Sequence, residues 1–295
     1  MKIAKLFDQK KIVYSFEIYP PNLSSGVDVV YETLKNLTNL KPDYLSVTYG
    51  AGGTEVKNRT CEISALIKNT CAIEPLAHLT CVNSRKSEVS DVLNQLSNDN
   101  IHNILAMRGD IRPNTVVRDD FKYASQLMDY IAGRGGFHLA AACYPEGHPE
   151  CESLKKDIEY MKLKQDCGAQ FFITQLFFDN DAYYDFVDKA RARGITAPIQ
   201  AGIMPLTNIK QIERTLYLSG AKVPHKLSRL ISRYGSNRVA MTQAGIMYAT
   251  EQIISLLEND VQGIHLYTMN KLDVARKITE NIDHLISMEN TSYLV

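Results

Sequence analysis

Apolar and polar positions along this chain follow two alternating periods. Eight short runs rich in β-branched and aromatic residues occupy positions 11–19, 43–49, 74–81, 102–108, 138–144, 170–178, 197–204 and 263–269. Between them apolar residues recur at helical spacing: Val30, Leu34 and Leu37; Val89, Val92, Leu93 and Leu96; Leu127, Met128 and Ile131; Ala182, Phe186, Val187 and Ala190. Glycines punctuate several of these stripes, Gly133 after Ala132, Gly168 after Cys167 and Gly194 after Arg193. Glycine accepts the left-handed conformation in which helices often end. Strands alternating with helices predict a parallel sheet, because parallel neighbours need a long crossover. Eight such units predict an α/β fold, a single (β/α)8 TIM-barrel domain over residues 1–295. Residues 224–259 read as extra helices inserted before the last strand.

In such a barrel the chemistry is built at the C-terminal ends of the strands. Those ends carry Glu17, Thr48 and Tyr49, His78 and Thr80, Arg108 to Asp110, Tyr144 to His148, Gln175, and Tyr267 to Asn270; the seventh ends apolar, in Met204-Pro205. Side-chain alternation decides which of these face inward. In the first strand Ile12, Tyr14, Phe16 and Ile18 form one large apolar face suited to packing under helices, leaving Val13, Ser15 and Glu17 for the interior. Pro20 and Pro21 follow and cannot extend the ladder, so Glu17 is expected inside, at the rim. A carboxyl in a poorly hydrated mouth has its charged form disfavoured, which suits it to donate a proton near neutral pH. After the fourth strand, Gly109 lets the backbone turn or approach a ligand closely and sets Arg108 and Asp110 side by side. His78 reads equally as a satisfied core histidine or as a ligand contact. The Gly50-Ala51-Gly52-Gly53 stretch is too irregular for a dinucleotide fingerprint and reads as a tight turn.

Charge removes several classes of partner. The 33 basic and 33 acidic side chains cancel, so no long-range field gathers nucleic acid or an anionic membrane, and neither is expected. No apolar run approaches the ~18 residues needed to cross a bilayer, and residues 1–11 lack the apolar stretch of a signal peptide. A cytoplasmic protein is expected. Six cysteines, none at two-residue spacing, argue against a zinc site or redox pair and read mostly as buried small hydrophobes. No metal site is expected.

Eight strings then occur in order. They are Ser15-Phe16-Glu17-Ile18-Tyr19-Pro20-Pro21, Ser46-Val47-Thr48-Tyr49-Gly50-Ala51, His78-Leu79-Thr80-Cys81 and Arg108-Gly109-Asp110. Ala142-Cys143-Tyr144-Pro145-Glu146-Gly147-His148-Pro149, Thr174-Gln175-Leu176-Phe177-Phe178-Asp179, Gly202-Ile203-Met204-Pro205 and Leu266-Tyr267-Thr268-Met269-Asn270 follow. With these strings the chain closely resembles the bacterial methylenetetrahydrofolate reductases, from about residue 11 to about residue 285. It resembles the catalytic barrel alone, without the adenosylmethionine-binding regulatory domain of eukaryotic members.

The resemblance implies FAD at the strand ends, reduction of 5,10-methylenetetrahydrofolate to 5-methyltetrahydrofolate, and a homo-oligomer. It implies a reduced nicotinamide, NADH rather than NADPH, that reloads the flavin in a separate half-reaction. Glu17 matches the family's general acid, which protonates the nitrogen that departs when the methylene bridge opens. Asp110 matches the carboxylate that stabilises the resulting iminium cation; beside the flavin, its charge also tunes hydride transfer. Gln175 matches the amide that holds the pterin, and Tyr183 and Lys271 fall at substrate-side positions. The cofactor contacts it implies are Thr48, Tyr49, Ala51, His78, Arg108, Gly109, Asp110, Ala124, Tyr144, His148, Cys151, Asp157, Tyr160 and Lys164.

The chain departs from the family pattern at four positions. Tyr160 and Leu163 stand where enterobacterial members have asparagine and arginine, which weakens the grip on the FAD pyrophosphate or leaves it to Arg108 and Lys164. Lys271 replaces an arginine with a point charge of different geometry, and Thr215 falls near a phenylalanine that stacks in the family's folate and nicotinamide site. Two rival readings follow: another flavin barrel, such as a proline dehydrogenase-like enzyme, or a flavin-binding accessory subunit that passes electrons to a partner.

Overall fold

The computed structural model describes residues 1–20, 27–49, 53–111 and 118–293. A short lead-in helix α1 (Leu6–Gln9) precedes β1 (Val13–Ile18) and α2 (Val27–Thr38). Then come β2 (Tyr44–Val47), α3 (Gly53–Thr70), β3 (Glu74–Thr80), α4 (Lys86–Asn98), β4 (Asn103–Met107) and α5 (Ala124–Arg134). The chain continues through β5 (His138–Cys143), α6 (Leu154–Asp166), β6 (Ala169–Thr174), α7 (Asn180–Ala192) and β7 (Ile199–Ile203). Three helices, α8 (Ile209–Ser219), α9 (His225–Tyr234) and α10 (Arg238–Glu258), separate β7 from β8 (Gly263–Tyr267), and α11 (Leu272–Tyr293) follows. The strands close into a barrel in the order β1 to β8. Each of the eight runs read from the pattern overlaps one of them, β6 starting one residue before its run, and α9 and α10 are the expected insertion before the last strand.

By packing, the residues form two compact units. The first comprises Met1–Leu6, Ser15–Ala142 and Leu163–Phe172. Its register is parallel: Glu17 pairs with Ser46, Ser46 with Leu76, and His78 with Leu105. Tyr44 meets Phe171 edge-on at 6.2 Å between ring centroids. Phe16 and Phe172 are fully buried, a burial that stabilises by about 1.5–3 kcal/mol per side chain. The helical stripes point where their period says, with Val89, Val92, Leu93 and Leu96 of α4 buried and Leu127, Met128 and Ile131 of α5 likewise.

The second unit comprises Phe7–Tyr14, Cys143–Lys162 and Ile173–Val295. Val13 N–H donates to Gln262 O at 3.2 Å, and the Tyr14 hydroxyl bonds Thr279 of α11 at 2.9 Å, so Tyr14 packs under a helix as β1 parity requires. Gly202 lies where side chains converge. The Tyr267 hydroxyl donates to Thr174 O at 2.7 Å, and a Cβ at 202 would stand 2.7 Å from the Tyr267 ring.

Two boundaries differ from the pattern. The sixth run, read over 170–178, leaves the sheet after Thr174. Phe177 stacks on Tyr183 at 5.2 Å, Phe177 O accepts from Gln252 Nε2 at 3.0 Å, and Phe178 O accepts from the Tyr248 hydroxyl at 2.6 Å. Helices α7 and α10 therefore claim an apolar run that periodicity alone assigns to a strand. Helix α5 ends at Gly135, with φ of 74°, rather than at Gly133. The six cysteines are all free, three buried and three half-buried, so fewer are core thiols than the sequence suggested.

Candidate active site

The first unit gathers three polar side chains at the end of β1 to β3. Glu17 sits on the inner face of β1, 6% exposed. The strand register sets Ser46 opposite it, and His78 is the next residue on its face of β3 beyond Leu76. Ser46 Oγ lies 3.0 Å from His78 Nε2, and that nitrogen lies 3.7 Å from Glu17 Oε2. All three are more than nine-tenths buried. His78 therefore resolves as a residue that touches both a hydroxyl and the expected acid. Ser46 was missed as a functional residue; β2 alternation opposite Glu17 was the signal that could have found it.

The end of β4 is held by backbone bonds. Cys81 and Val82 N–H groups donate to Arg108 O at 3.1 and 2.8 Å, and Arg118 N–H donates to Val82 O at 3.1 Å. Arg108 Nε donates to Gly109 O at 3.1 Å. Gly109 takes φ of 88°, and a Cβ there would come within 3.0 Å of Thr80, so only glycine suits this close approach. Asp110 is exposed. Nearby Cys81 is an inert thiol, its pKa pushed up to about 12 chiefly by burial. Arg118 was missed: its Nε is buried and has no hydrogen-bond partner among the described residues. The sequence just before it, Arg112-Pro113-Asn114-Thr115-Val116-Val117, carries no periodic signal.

Elsewhere in this unit Thr48 and Tyr49 follow β2 and are half-buried, burial raising the Tyr49 phenol pKa. Thr48 O accepts from Thr60 Oγ1 at 3.0 Å. Ala124 opens α5, and Lys164 Nζ donates to Ala142 O, the residue before the end of β5, at 2.6 Å. Ala51 lies outside the described residues.

In the second unit the segment after β5 is a built loop. The Tyr144 and His148 rings meet edge-on at 4.7 Å. His148 N–H donates to Asp157 Oδ2 at 2.9 Å, so Asp157, nine-tenths buried, anchors this loop to α6. Glu150 N–H donates to His148 Nδ1 at 3.1 Å, which places the proton of the neutral ring on Nε2. Glu146 accepts from Lys222 N–H with both oxygens, at 3.4 and 3.2 Å, and burial raises its pKa. Cys151 Sγ donates to Ser153 O. Tyr160 is exposed with Lys156 Nζ 5.5 Å above its ring.

The substrate-side positions in this unit differ in character. Gln175 N–H donates to Cys143 O at 2.7 Å, and its Oε1 accepts from Leu176 N–H at 2.9 Å, which fixes the amide. Tyr183 is buried, its hydroxyl donating to Ile199 O at 3.1 Å, so it contributes packing between α7 and β7. Lys271 is half-buried and donates to Thr207 Oγ1 and to Gln211 Oε1, the latter at 2.9 Å. Burial first, and the Arg238 charge second, lower its pKa. Gln211, not anticipated, keeps a buried Nε2 without a partner among the described residues. Thr215 Oγ1 rests 3.6 Å from Met204 Sδ.

A closed eight-stranded barrel with ionisable and amide side chains at its strand ends defines a (β/α)8-barrel protein arranged as barrel enzymes are. The family model "Methylenetetrahydrofolate reductase" matches residues 2–283, and the chain belongs to that family. It is 31% identical over 274 residues to the 5,10-methylenetetrahydrofolate reductase of Escherichia coli, covering 93% of this chain and 92% of that one. It is 33% identical over 284 residues to methylenetetrahydrofolate reductase (NADH) 1 of Arabidopsis thaliana, covering 91% of this chain and 48% of that one. The chain thus spans about half the length of its plant relatives. Among solved structures, an uncharacterized protein from Clostridium thermocellum has a similar fold, with a TM-score of 0.65 and 14% identity over 97% of this chain and 100% of that one.

Proposed function

We propose that this chain reduces 5,10-methylenetetrahydrofolate to 5-methyltetrahydrofolate in the cytoplasm, drawing electrons from NADH through FAD in two alternating half-reactions. One observation carries the reading: Glu17 is buried at the C-terminal end of a barrel strand, on the inner face, within ion-pairing range of an imidazole. The plant relatives are named for NADH, and the Clostridium thermocellum protein is described as binding two copies of 5-methyl-5,6,7,8-tetrahydrofolic acid.

The residues present suit a flavin dinucleotide. The Arg118 Nε is a buried donor without a partner among the described residues, fitted to an anionic group such as a diphosphate. Arg108, Arg118, Thr48 and Tyr49 of the first unit would hold the cofactor. FAD, when bound, supplies hydride transfer.

The chain's own residues supply the rest. Glu17 gives its proton to the folate nitrogen that departs as the methylene bridge opens. Asp110 places a negative charge where the iminium cation develops. Gln175, its Oε1 already engaged by Leu176 N–H, offers its amide donors to a pterin edge.

Rapid mixing of the Glu17→Gln variant tests this. It is expected to keep its flavin and to accept electrons from NADH normally, while oxidation of the reduced protein by methylenetetrahydrofolate slows about 10²–10⁴-fold, the usual worth of a general acid. A normal folate half-reaction in that variant rules out the acid role. A protein that takes up no flavin on reconstitution rules out the whole reading.

A further inference from the structure

A buried acid that spends its proton must be reloaded before it can act again. Glu17 is 6% exposed, so bulk water has little direct access to it. Among the described residues a titratable neighbour is His78, and histidine is the side-chain type that changes charge around neutral pH. Its Nε2 is the atom turned toward Glu17 Oε2, at 3.7 Å, and the same nitrogen is seated against Ser46 Oγ at 3.0 Å. A hydroxyl both donates and accepts, so Ser46 stays bonded whether or not Nε2 carries a proton.

Other titratable groups on or just past these strands, among the described residues, include Tyr44, Glu74 and Arg108. The Tyr44 phenol on β2 is kept neutral by burial. Glu74 begins β3 at its opposite end and is paired with Lys68. Arg108, just past β4, has its Nε on Gly109 O.

We propose that His78 is a positioning residue for Glu17: held by Ser46, its imidazole orients the carboxyl and returns the proton spent in each turnover. This rests on the acid role of Glu17 proposed above. The protons balance without any change of oxidation state. Glu17 passes its proton to the folate nitrogen, the resulting carboxylate takes the Nε2 proton of the imidazolium, and the imidazole recovers one from water. The 3.7 Å separation is beyond a direct hydrogen bond, and such contacts tighten, or are bridged by one water, when substrate enters.

The half-reactions separate this role from a simple flavin contact, because a displaced flavin slows both and an unloaded acid slows one. In His78→Phe, reduction by NADH is expected to slow far less than oxidation by methylenetetrahydrofolate. Its oxidation by methylenetetrahydrofolate should fall about tenfold to a hundredfold, the usual scale for a misplaced reacting group. His78→Gln keeps a hydrogen-bonding side chain but cannot titrate, so it should recover the single-turnover folate rate and remain slow over many turnovers. Without any turnover, the His78 resonance of ¹⁵N-histidine-labelled protein, assigned by its loss in His78→Phe, should titrate at a shifted pH in Glu17→Gln.

Equal slowing of both half-reactions, loss of flavin from both variants, or a His78 titration indifferent to Glu17→Gln overturns the proposal. So does a His78→Gln variant that sustains parental multiple turnover. If Glu17→Gln itself reduces folate normally, the acid reading has failed. If Glu17→Gln is impaired and both His78 variants are normal, only the present inference has.

Discussion

Two polar clusters in this chain are built in opposite ways. Glu17, Ser46 and His78 stand on three adjacent strands, and backbone register fixes their spacing before any side chain chooses a rotamer. They are nearly free of solvent. Lys271, Thr207 and Gln211 stand on the connections after β8 and β7 and on α8, half-buried except for Thr207, and they meet only through long side chains. The first arrangement suits chemistry, where an ångström of misplacement costs about a hundredfold in rate. The second suits binding, where several contacts share the work. The departures from the family pattern at Lys271 and Thr215 fall in or beside the second cluster, and none falls in the first.

The largest expected effect tests how rigid the strand scaffold is. Gly202→Ala places a Cβ 2.7 Å from the Tyr267 ring and against Thr174 O, while Tyr267 is tied to that same carbonyl. Neither the β6 backbone nor the tyrosine can give way without breaking the 2.7 Å bond. Overpacking of this kind costs about 1–3 kcal/mol or more, and chemical denaturation should show a loss in that range or above. A variant as stable as the parent would mean that these strands slide past one another, and register could not then be the reason the first cluster is so tightly set.

The same contrast explains what the sequence made legible. All eight strands were readable because each alternates or is apolar over its own short length, and Glu17 was placed inside by β1 parity alone. His78 stayed ambiguous because parity gives direction but no partner; Ser46 and Glu17 on neighbouring strands supply the partners only once register is known. The end of β6 was misjudged because Leu176, Phe177 and Phe178 are as apolar as a strand interior, and what peels them off is packing by Tyr183, Tyr248 and Gln252 from distant helices. Gln211 and Arg118 carried no signal, since their distinguishing feature is a buried nitrogen without a partner among the described residues, which no local pattern encodes.

A middle-sized effect separates the clusters kinetically. Lys271→Met removes the ammonium that bonds Thr207 and Gln211 but touches no proton used in the reaction. The expected result is a folate KM raised about three- to tenfold with kcat nearly unchanged, the signature of lost uniform binding. Glu17→Gln should do the reverse, lowering kcat. If Lys271→Met lowers kcat as strongly as it raises KM, the half-buried cluster takes part in the chemical step and the division drawn between the two fails.

The smallest effect concerns Glu146, a loop carboxylate whose role is structural. Burial is the largest cause raising its pKa above the ordinary 4.5, the Asp179 charge adds to it, and the Lys222 amide and charge oppose it. A raised folded-state value means that the native protein holds this proton more tightly than the unfolded chain does. The stability it contributes is therefore fully present below the ordinary value and is lost as pH rises through the raised one. Glu146→Gln cannot ionise, yet keeps an oxygen to accept from Lys222 N–H. Relative to the parent it should gain in melting temperature as pH climbs from below 4.5 toward neutrality, by no more than about 2 °C because the group is only half-buried. The rate of flavin reduction by NADH should not move. A melting difference that is flat with pH would show that the Lys222 contact compensates the burial in full. A slower folate half-reaction would show that this loop, like the strand-borne acid, acts on the chemistry rather than on the fold.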